Sequence, residues 1–161
     1  METTTEFTSF ELSPILIDSL QKSGFQKASA IQEMTITPIL EGKDILALAE
    51  TGSGKTGAFA IPIIEQILRD KENEGDYPIR YVVMSPTREL AQQTYKVFNQ
   101  FGKELGIHTA CVIGGESMDR QKDVIGKGVQ VLVATPGRLK DLINQKIVKL
   151  DQCKGVVFDE A

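Results

Sequence analysis

Asp44-Ile45-Leu46-Ala47-Leu48-Ala49-Glu50-Thr51-Gly52-Ser53-Gly54-Lys55-Thr56 is the stretch on which the fold turns. Residues 44–49 are a short apolar run, the pattern of a buried strand. Residues 55–68 have helical spacing, with Phe59, Ile63, Ile64 and Ile67 on one side. Between them stand the glycines and lysine of a phosphate-binding loop, in the strand-to-helix setting such a loop requires. The glycines let backbone amides turn inward around phosphate oxygens, and the helix N-terminus adds a favourable dipole. Lys55 would reach the β- and γ-phosphates, and the Thr56 hydroxyl would bind Mg²⁺. Ala49, Glu50, Thr51, Gly52, Ser53, Gly54, Lys55 and Thr56 are therefore candidate nucleotide-binding residues. The general pattern has Gly where Ala49 stands. The rival reading is a glycine-rich turn with an incidental lysine.

Working outward, strands and helices alternate. Residues 80–84 (RYVVM), 109–113 (TACVI), 129–134 (VQVLVA) and 155–159 (GVVFD) read as strands. Residues 88–105, 118–125 and 138–143 read as helices. Alternation of this kind implies βαβ units and a parallel sheet with helices on both faces. Ligands of such sheets sit beyond the carboxyl ends of the strands. Each candidate motif begins where a strand ends. Upstream, Ser13-Pro14 reads as an N-cap and first helical residue, Gly24 as the close of that helix, and Ser29 as the cap of a second. Ile31 and Met34 give that second helix its apolar residues, and Pro38 breaks it or starts it anew. Residues 70–77 read as a charged loop.

The chain has 161 residues and is 41% hydrophobic, which suits one globular domain. No apolar run approaches the roughly 18–20 residues that span a bilayer, and the polar start lacks a secretory pattern. Cys111 and Cys153 lie far apart without a metal-ligand pattern and read as buried, reduced thiols; a cytoplasmic location is the default. A net charge of −4 argues against gripping nucleic acid by bulk positive charge. It leaves room for local phosphate contacts.

Asp159 and Glu160 follow the last apolar strand. In P-loop ATPases an Asp there holds Mg²⁺ and an adjacent Glu polarises the attacking water. Lys55, Asp159 and Glu160 are thus the candidate catalytic residues, with Thr56 and Asp159 on the metal. Acids after a strand are common, and it is the upstream loop that gives this pair its meaning.

Ala49-Glu50-Thr51-Gly52-Ser53-Gly54-Lys55-Thr56 resembles motif I of DEAD-box RNA helicases, which carries Ala at the first position. Gly24-Phe25 with Ala30-Ile31-Gln32 resembles the Q motif, with Phe7 as its upstream aromatic. Residues 86–91 (PTRELA) resemble motif Ia, Gly114-Gly115 the GG motif, residues 135–138 (TPGR) motif Ib, and Asp159-Glu160-Ala161 the start of motif II. The motifs stand in the family's order across nearly the whole chain. One departure is Lys27-Ala28-Ser29-Ala30, where the family has Pro-Thr-Pro or Pro-Ser-Ala before Ile-Gln. It should soften the turn and leave Gln32 in place.

The resemblance implies an α/β, RecA-like P-loop lobe using ATP and Mg²⁺. Residues 1–43 would be a helical Q-motif region, and residues 44–161 an incomplete ATP-binding lobe lacking motif III onward. It implies that Gln32 pairs with adenine and that Phe25 stacks on it. Alone, Gln32 would read as a surface helix residue. It also implies that Pro86, Thr87, Arg88, Gly114, Gly115, Thr135, Pro136, Gly137 and Arg138 contact an RNA backbone with little sequence preference. The capping chemistry of ordinary turns is the competing reading of those loops. A second RecA-like lobe of the same polypeptide would be the partner, supplying an arginine finger worth roughly 10³–10⁵ in rate. Two alternatives remain: a DNA helicase or translocase of the same superfamily, and a nucleotide-binding module without turnover.

The resemblance also implies that the motif III strand lies between the strand at 44–49 and the strand at 155–159. Without it the sheet would be incomplete, with facing edges unpaired. The expectation is that the 161 residues belong to a longer folded polypeptide, or that a neighbouring chain completes the sheet.

Overall fold

The computed structural model describes residues 2–50, 54–70 and 78–160. Four parallel strands form its sheet, in the order β4-β5-β3-β6: β3 (Tyr81–Met84), β4 (Thr109–Val112), β5 (Val131–Ala134) and β6 (Gly155–Phe158). Alternation along each strand sends successive side chains to opposite faces. On one face Val83, Val131 and Val133 join the core made by α1 (Pro14–Lys22), α2 (Ala30–Leu40), α3 (Lys55–Asp70) and α4 (Arg88–Gly102). On the other, Val82, Ala110, Val112, Leu132 and Ala134 pack with Leu139 and Leu142 of α6 (Pro136–Asn144). Met118 and Ile125 of α5 (Met118–Gly126) lie against that second cluster. This is the α/β, RecA-like architecture expected, a parallel sheet flanked by helices.

The strand expected at 44–49 does not form. Residues 43–50 carry no regular secondary structure, and Leu46 and Leu48 are 95% and 94% exposed. The physical reason is the absence of a ladder to join. β6 pairs with β3 on one side, and no described strand lies on the other. An isolated extended segment gains no hydrogen bonds and buries no side chains, so its apolar pattern alone cannot make it a strand.

The N-terminal region differs from expectation in detail. Glu2–Glu6 (β1) pairs antiparallel with Lys27–Ser29 (β2), a pairing its Thr-rich sequence does not announce. α2 runs unbroken through Pro38. It buries Gln32, Thr35 and Ile36, while Met34 is exposed. Gly24 closes α1 at φ +87, a left-handed position that glycine adopts without penalty. Ser13 stands before α1 but its hydroxyl does not cap it. Phe7, Leu12, Leu16 and Leu20 share one core with Ile61, Ile64 and Phe98, so residues before 43 pack as part of the same body. Cys111 and Cys153 are free thiols, half-buried and not fully enclosed. Burial pushes the Cys111 thiol up to about 11, and the nearby Glu116 charge adds to the shift. Among the described residues no helix is long and apolar enough to cross a membrane.

Candidate functional site

The carboxyl ends of the strands gather the motif residues. At the β6 end, Asp159 follows the strand and its N–H donates to the Met84 carbonyl at 2.9 Å. That bond continues the parallel ladder and fixes Asp159 beside β3. Its side chain is almost fully buried, yet Lys55 Nζ reaches Oδ1 at 3.1 Å. Lys55 also donates to Glu160 Oε1 at 2.6 Å, across 105 positions of sequence. Burial pulls the Lys55 pKa down, but the hydrogen bonds and charges of Glu160 and Asp159 outweigh it and hold the ammonium above its ordinary value. Asp159 Oδ2 is buried without a hydrogen-bond partner. A buried carboxylate oxygen left unpaired is expensive, and its environment invites a cation or a donor. Glu160 is exposed and sits at φ +59, a region few non-glycine residues occupy.

The start of α3 carries the rest of the phosphate loop. Gly54 lies at φ +86, and its carbonyl accepts the Ala58 N–H at 3.1 Å, opening the helix. Lys55 and Thr56, both half-buried, form the first turn. Ala49 and Glu50 end the irregular segment before it. Thr51, Gly52 and Ser53 lie outside the described residues, as do Ala161 and the 71–77 part of the charged loop.

Gln32 is 6% exposed, so it is not the surface helix residue that the competing reading of it alone would make it. Ser29 and Gln32 form a capping box: Oε1 accepts the Ser29 N–H at 3.0 Å, and Ser29 Oγ accepts the Gln32 N–H at 3.4 Å. Gln32 Nε2 also donates to the Gly54 carbonyl at 3.0 Å. The two motifs therefore touch. A Cβ at Gly54 would stand 2.5 Å from Ser29 Oγ, and one at Gly57 2.6 Å from Gln32 Nε2. Gly57 falls outside the motifs read from the sequence, and its one signal there is a third glycine directly after the lysine and threonine. Phe25 does not reach this cradle through any ring contact. It meets Phe101 edge-on, centroids 5.4 Å apart, and remains partly exposed.

A second cluster forms after β3, β4 and β5. Thr87 caps α4 by accepting the Leu90 N–H at 3.2 Å. Gly115, at φ +82, lies so close to Arg88 that a Cβ would stand 2.9 Å from Nη1. Arg88 Nη2 pairs loosely with Glu116 at 3.4 Å. The Gly114 N–H donates to Thr135 Oγ1 at 3.4 Å. Arg138 Nη1 donates to the Glu116 carbonyl at 3.1 Å and to Gln121 Oε1 at 3.0 Å. Pro86, Thr87, Arg88, Gly115, Pro136 and Gly137 are exposed, and Gly114, Thr135 and Arg138 half-buried. Three loops distant in sequence thus form one surface. Glu116 and Gln121, which hold its arginines, give no sequence signal because they lie in an ordinary polar stretch.

No group of three or more His, Cys, Asp or Glu side chains converges as a metal cage among the described residues. The single buried Asp159 oxygen beside a phosphate loop instead suits a Mg²⁺ that shares its ligands with a nucleotide and water.

Known proteins resemble this chain throughout. The sequence pattern of the DEAD/DEAH box helicase family matches residues 29–161. The ATP-dependent RNA helicase CshA of Limosilactobacillus reuteri is 44% identical over 97% of the chain and 30% of its own length. The ATP-dependent rRNA helicase RRP3 of Kluyveromyces lactis is 43% identical over 96% of the chain and 31% of its own length. The ATP-dependent RNA helicase RhlB of Xanthomonas axonopodis pv. citri is 40% identical over 99% of the chain and 28% of its own length. The chain spans under a third of the length of these relatives. With Lys55 meeting Asp159 and Glu160, and Gln32 meeting the Gly54 carbonyl, the chain that matches this pattern belongs to the DEAD/DEAH box helicase family.

Proposed function

We propose that the chain is the ATP- and RNA-binding lobe of an ATP-dependent RNA helicase. The observation that carries this reading is the meeting of Lys55 with Asp159 and Glu160 at 3.1 and 2.6 Å. A lysine held by two carboxylates can exchange them for the β- and γ-phosphate oxygens of ATP. The exchange frees Asp159, which with the Thr56 hydroxyl would hold Mg²⁺. The ion, when bound, neutralises charge developing between the phosphates. Glu160 would orient the attacking water and accept its proton.

Gln32 keeps a second amide hydrogen and a second lone pair beyond its bonds to Gly54 and Ser29. That pair of functions matches a ring nitrogen and the amino group of adenine and mismatches guanine. Phe25 offers a partly exposed ring for the base. Pro86, Thr87, Arg88, Gly114, Gly115, Thr135, Pro136, Gly137 and Arg138 would bind RNA phosphates and sugars, contacts that position a strand and carry no base code. Residues 1–43 form the Q-motif region and 44–161 the core of the lobe. The remainder of the polypeptide would supply a second RecA-like lobe and its arginine finger, and closure of the two would separate strands. By itself the chain is a nucleotide-binding module without helicase-rate turnover, since the other half of the cleft and the arginine finger would come from the second lobe.

Two measurements test this. Phosphate release by the polypeptide carrying this chain should rise with RNA and not with DNA; stimulation by DNA alone would move it to the translocase class. Calorimetry should give tighter binding of ADP than GDP, and Gln32→Ala should erase the preference. Equal affinities in the unsubstituted chain would count against the adenine reading.

A further inference from the structure

Glu65 lies in the middle of α3, 2% exposed, directly after the apolar run Ile61-Pro62-Ile63-Ile64 and two residues before buried Ile67. Burying a carboxylate is costly unless it is paired and hydrogen-bonded. Its partners are specific. Oε1 accepts the Ser13 N–H at 2.6 Å, and Oε2 accepts the Ser13 hydroxyl at 2.9 Å. Arg69 Nε donates to Oε2 at 2.8 Å, and Arg69 Nη2 donates to the Glu11 carbonyl at 2.6 Å. The hydroxyl that should cap α1 is thus turned onto α3, and a negative charge stands at the N-terminus of α1, where the helix dipole favours it.

The far end of α1 leads to the base side of the site. Ser19 Oγ donates to the Phe101 carbonyl at 2.8 Å. The Phe25 N–H donates to the Leu20 carbonyl at 2.8 Å, and the Phe25 ring rests edge-on against Phe101. α3 therefore serves both halves. Its first turn carries Lys55, and Glu65 stands about 15 Å further along at 1.5 Å per residue. We infer that Glu65 is a positioning residue for base binding: by fixing α1 to the helix that carries the phosphate-binding lysine, it sets Phe25 relative to Lys55. The inference rests on the adenine reading given above.

The test separates base from phosphate. Glu65→Gln keeps the shape and removes the charged acceptor. ADP should bind about five- to tenfold more weakly, while Mg²⁺-pyrophosphate, which has no base, should change less than about twofold. Ser13→Ala removes one of the three bonds to Glu65 and should act in the same direction by about two- to threefold; it carries the test if Glu65→Gln fails to fold. Equal weakening of ADP and pyrophosphate would show general loss of structure and overturn the proposal, as would unchanged ADP binding in both variants. Failure of the adenine reading itself is seen separately, as equal ADP and GDP affinity before any substitution.

Discussion

Among the described residues β4 and β6 both pair with a neighbour on one side only, yet they are finished differently. Thr109, Ala110 and Val112 of β4 are buried and Cys111 half-buried. On β6, Val156 and Phe158 point to one face and are 48% and 66% exposed. Their neighbours in register, Val82 and Met84, belong to the core under α6, which does not extend over β6. The irregular segment with exposed Leu46 and Leu48 is likewise uncovered. The two functional clusters follow this division. The loops after β3, β4 and β5 are held by neutral caps and carbonyls, with one loose ion pair, on the covered side. The proposed phosphate site, Lys55 with Asp159 and Glu160, is held by charges on the open side. On the proposed function, the covered half would be set in place before a ligand arrives, whereas the open half is held by ion pairs that a nucleotide would exchange.

The sharpest break in the comparison would come from Lys55. Lys55→Ala removes the cation shared by Asp159 and Glu160 and, with it, the proposed phosphate contact. A charge-assisted bond is worth about 1.5–3 kcal/mol, so nucleotide affinity should fall by about 10- to 100-fold. RNA affinity in the absence of nucleotide should stay within about twofold. A parallel loss of RNA binding would mean that the two clusters are one unit.

The open side makes a second prediction. Unpaired edge groups and exposed Leu46, Leu48 and Phe158 invite association. The 161-residue chain alone should unfold broadly and scatter light at micromolar concentration. Leu46→Lys with Leu48→Lys should lower the scattering severalfold, and a charge on β4 at Cys111 should not. A sharp, cooperative transition of a monomeric chain would remove the distinction between the edges.

Legibility in the sequence divides along the same line. Strands β3 to β6 are readable because their apolar runs find real neighbours. The run at 44–49 carries the same signal and fails, since periodicity reports a disposition to be buried and not the presence of a partner. α2 misleads for the opposite reason. Its buried face mixes Gln32 and Thr35 with Ile36, so a reading from Ile31 and Met34 gives Met34 a buried place it does not have. The candidate site residues are legible as motifs, but Gly57, Glu65, Glu116 and Gln121, which contact them or their supports, are not. Each acts by touching a motif residue or its support from a distant part of the chain.

On the covered side, Arg138→Ala should weaken RNA about five- to tenfold, uniformly across sequences, and reduce the salt dependence by about one ion. ADP affinity should not move. Loss confined to particular sequences would indicate base reading and contradict backbone recognition.

The smallest effect tests whether that half is held ready in advance. Gln121 is 6% exposed and bridges two groups: Nε2 donates to the Ile113 carbonyl at 3.0 Å, and Oε1 accepts from Arg138. Its amide is taken up by these two bonds, so its expected action on RNA is to orient Arg138 and the loop that starts at Ile113. Gln121→Leu keeps the volume and removes both bonds. Arg138 keeps its bond to the Glu116 carbonyl, so orientation is loosened and not lost. The expected result is a two- to threefold rise in RNA Kd, about 0.4–0.7 kcal/mol, with ADP binding unchanged. Filter binding with a single-stranded RNA at two salt concentrations measures it. The salt dependence should match that of the unsubstituted chain, because no charge has been removed. An effect as large as that of Arg138→Ala would mean that the arginine cannot find the strand without its bridge. No effect would mean that the Glu116 carbonyl alone sets its direction.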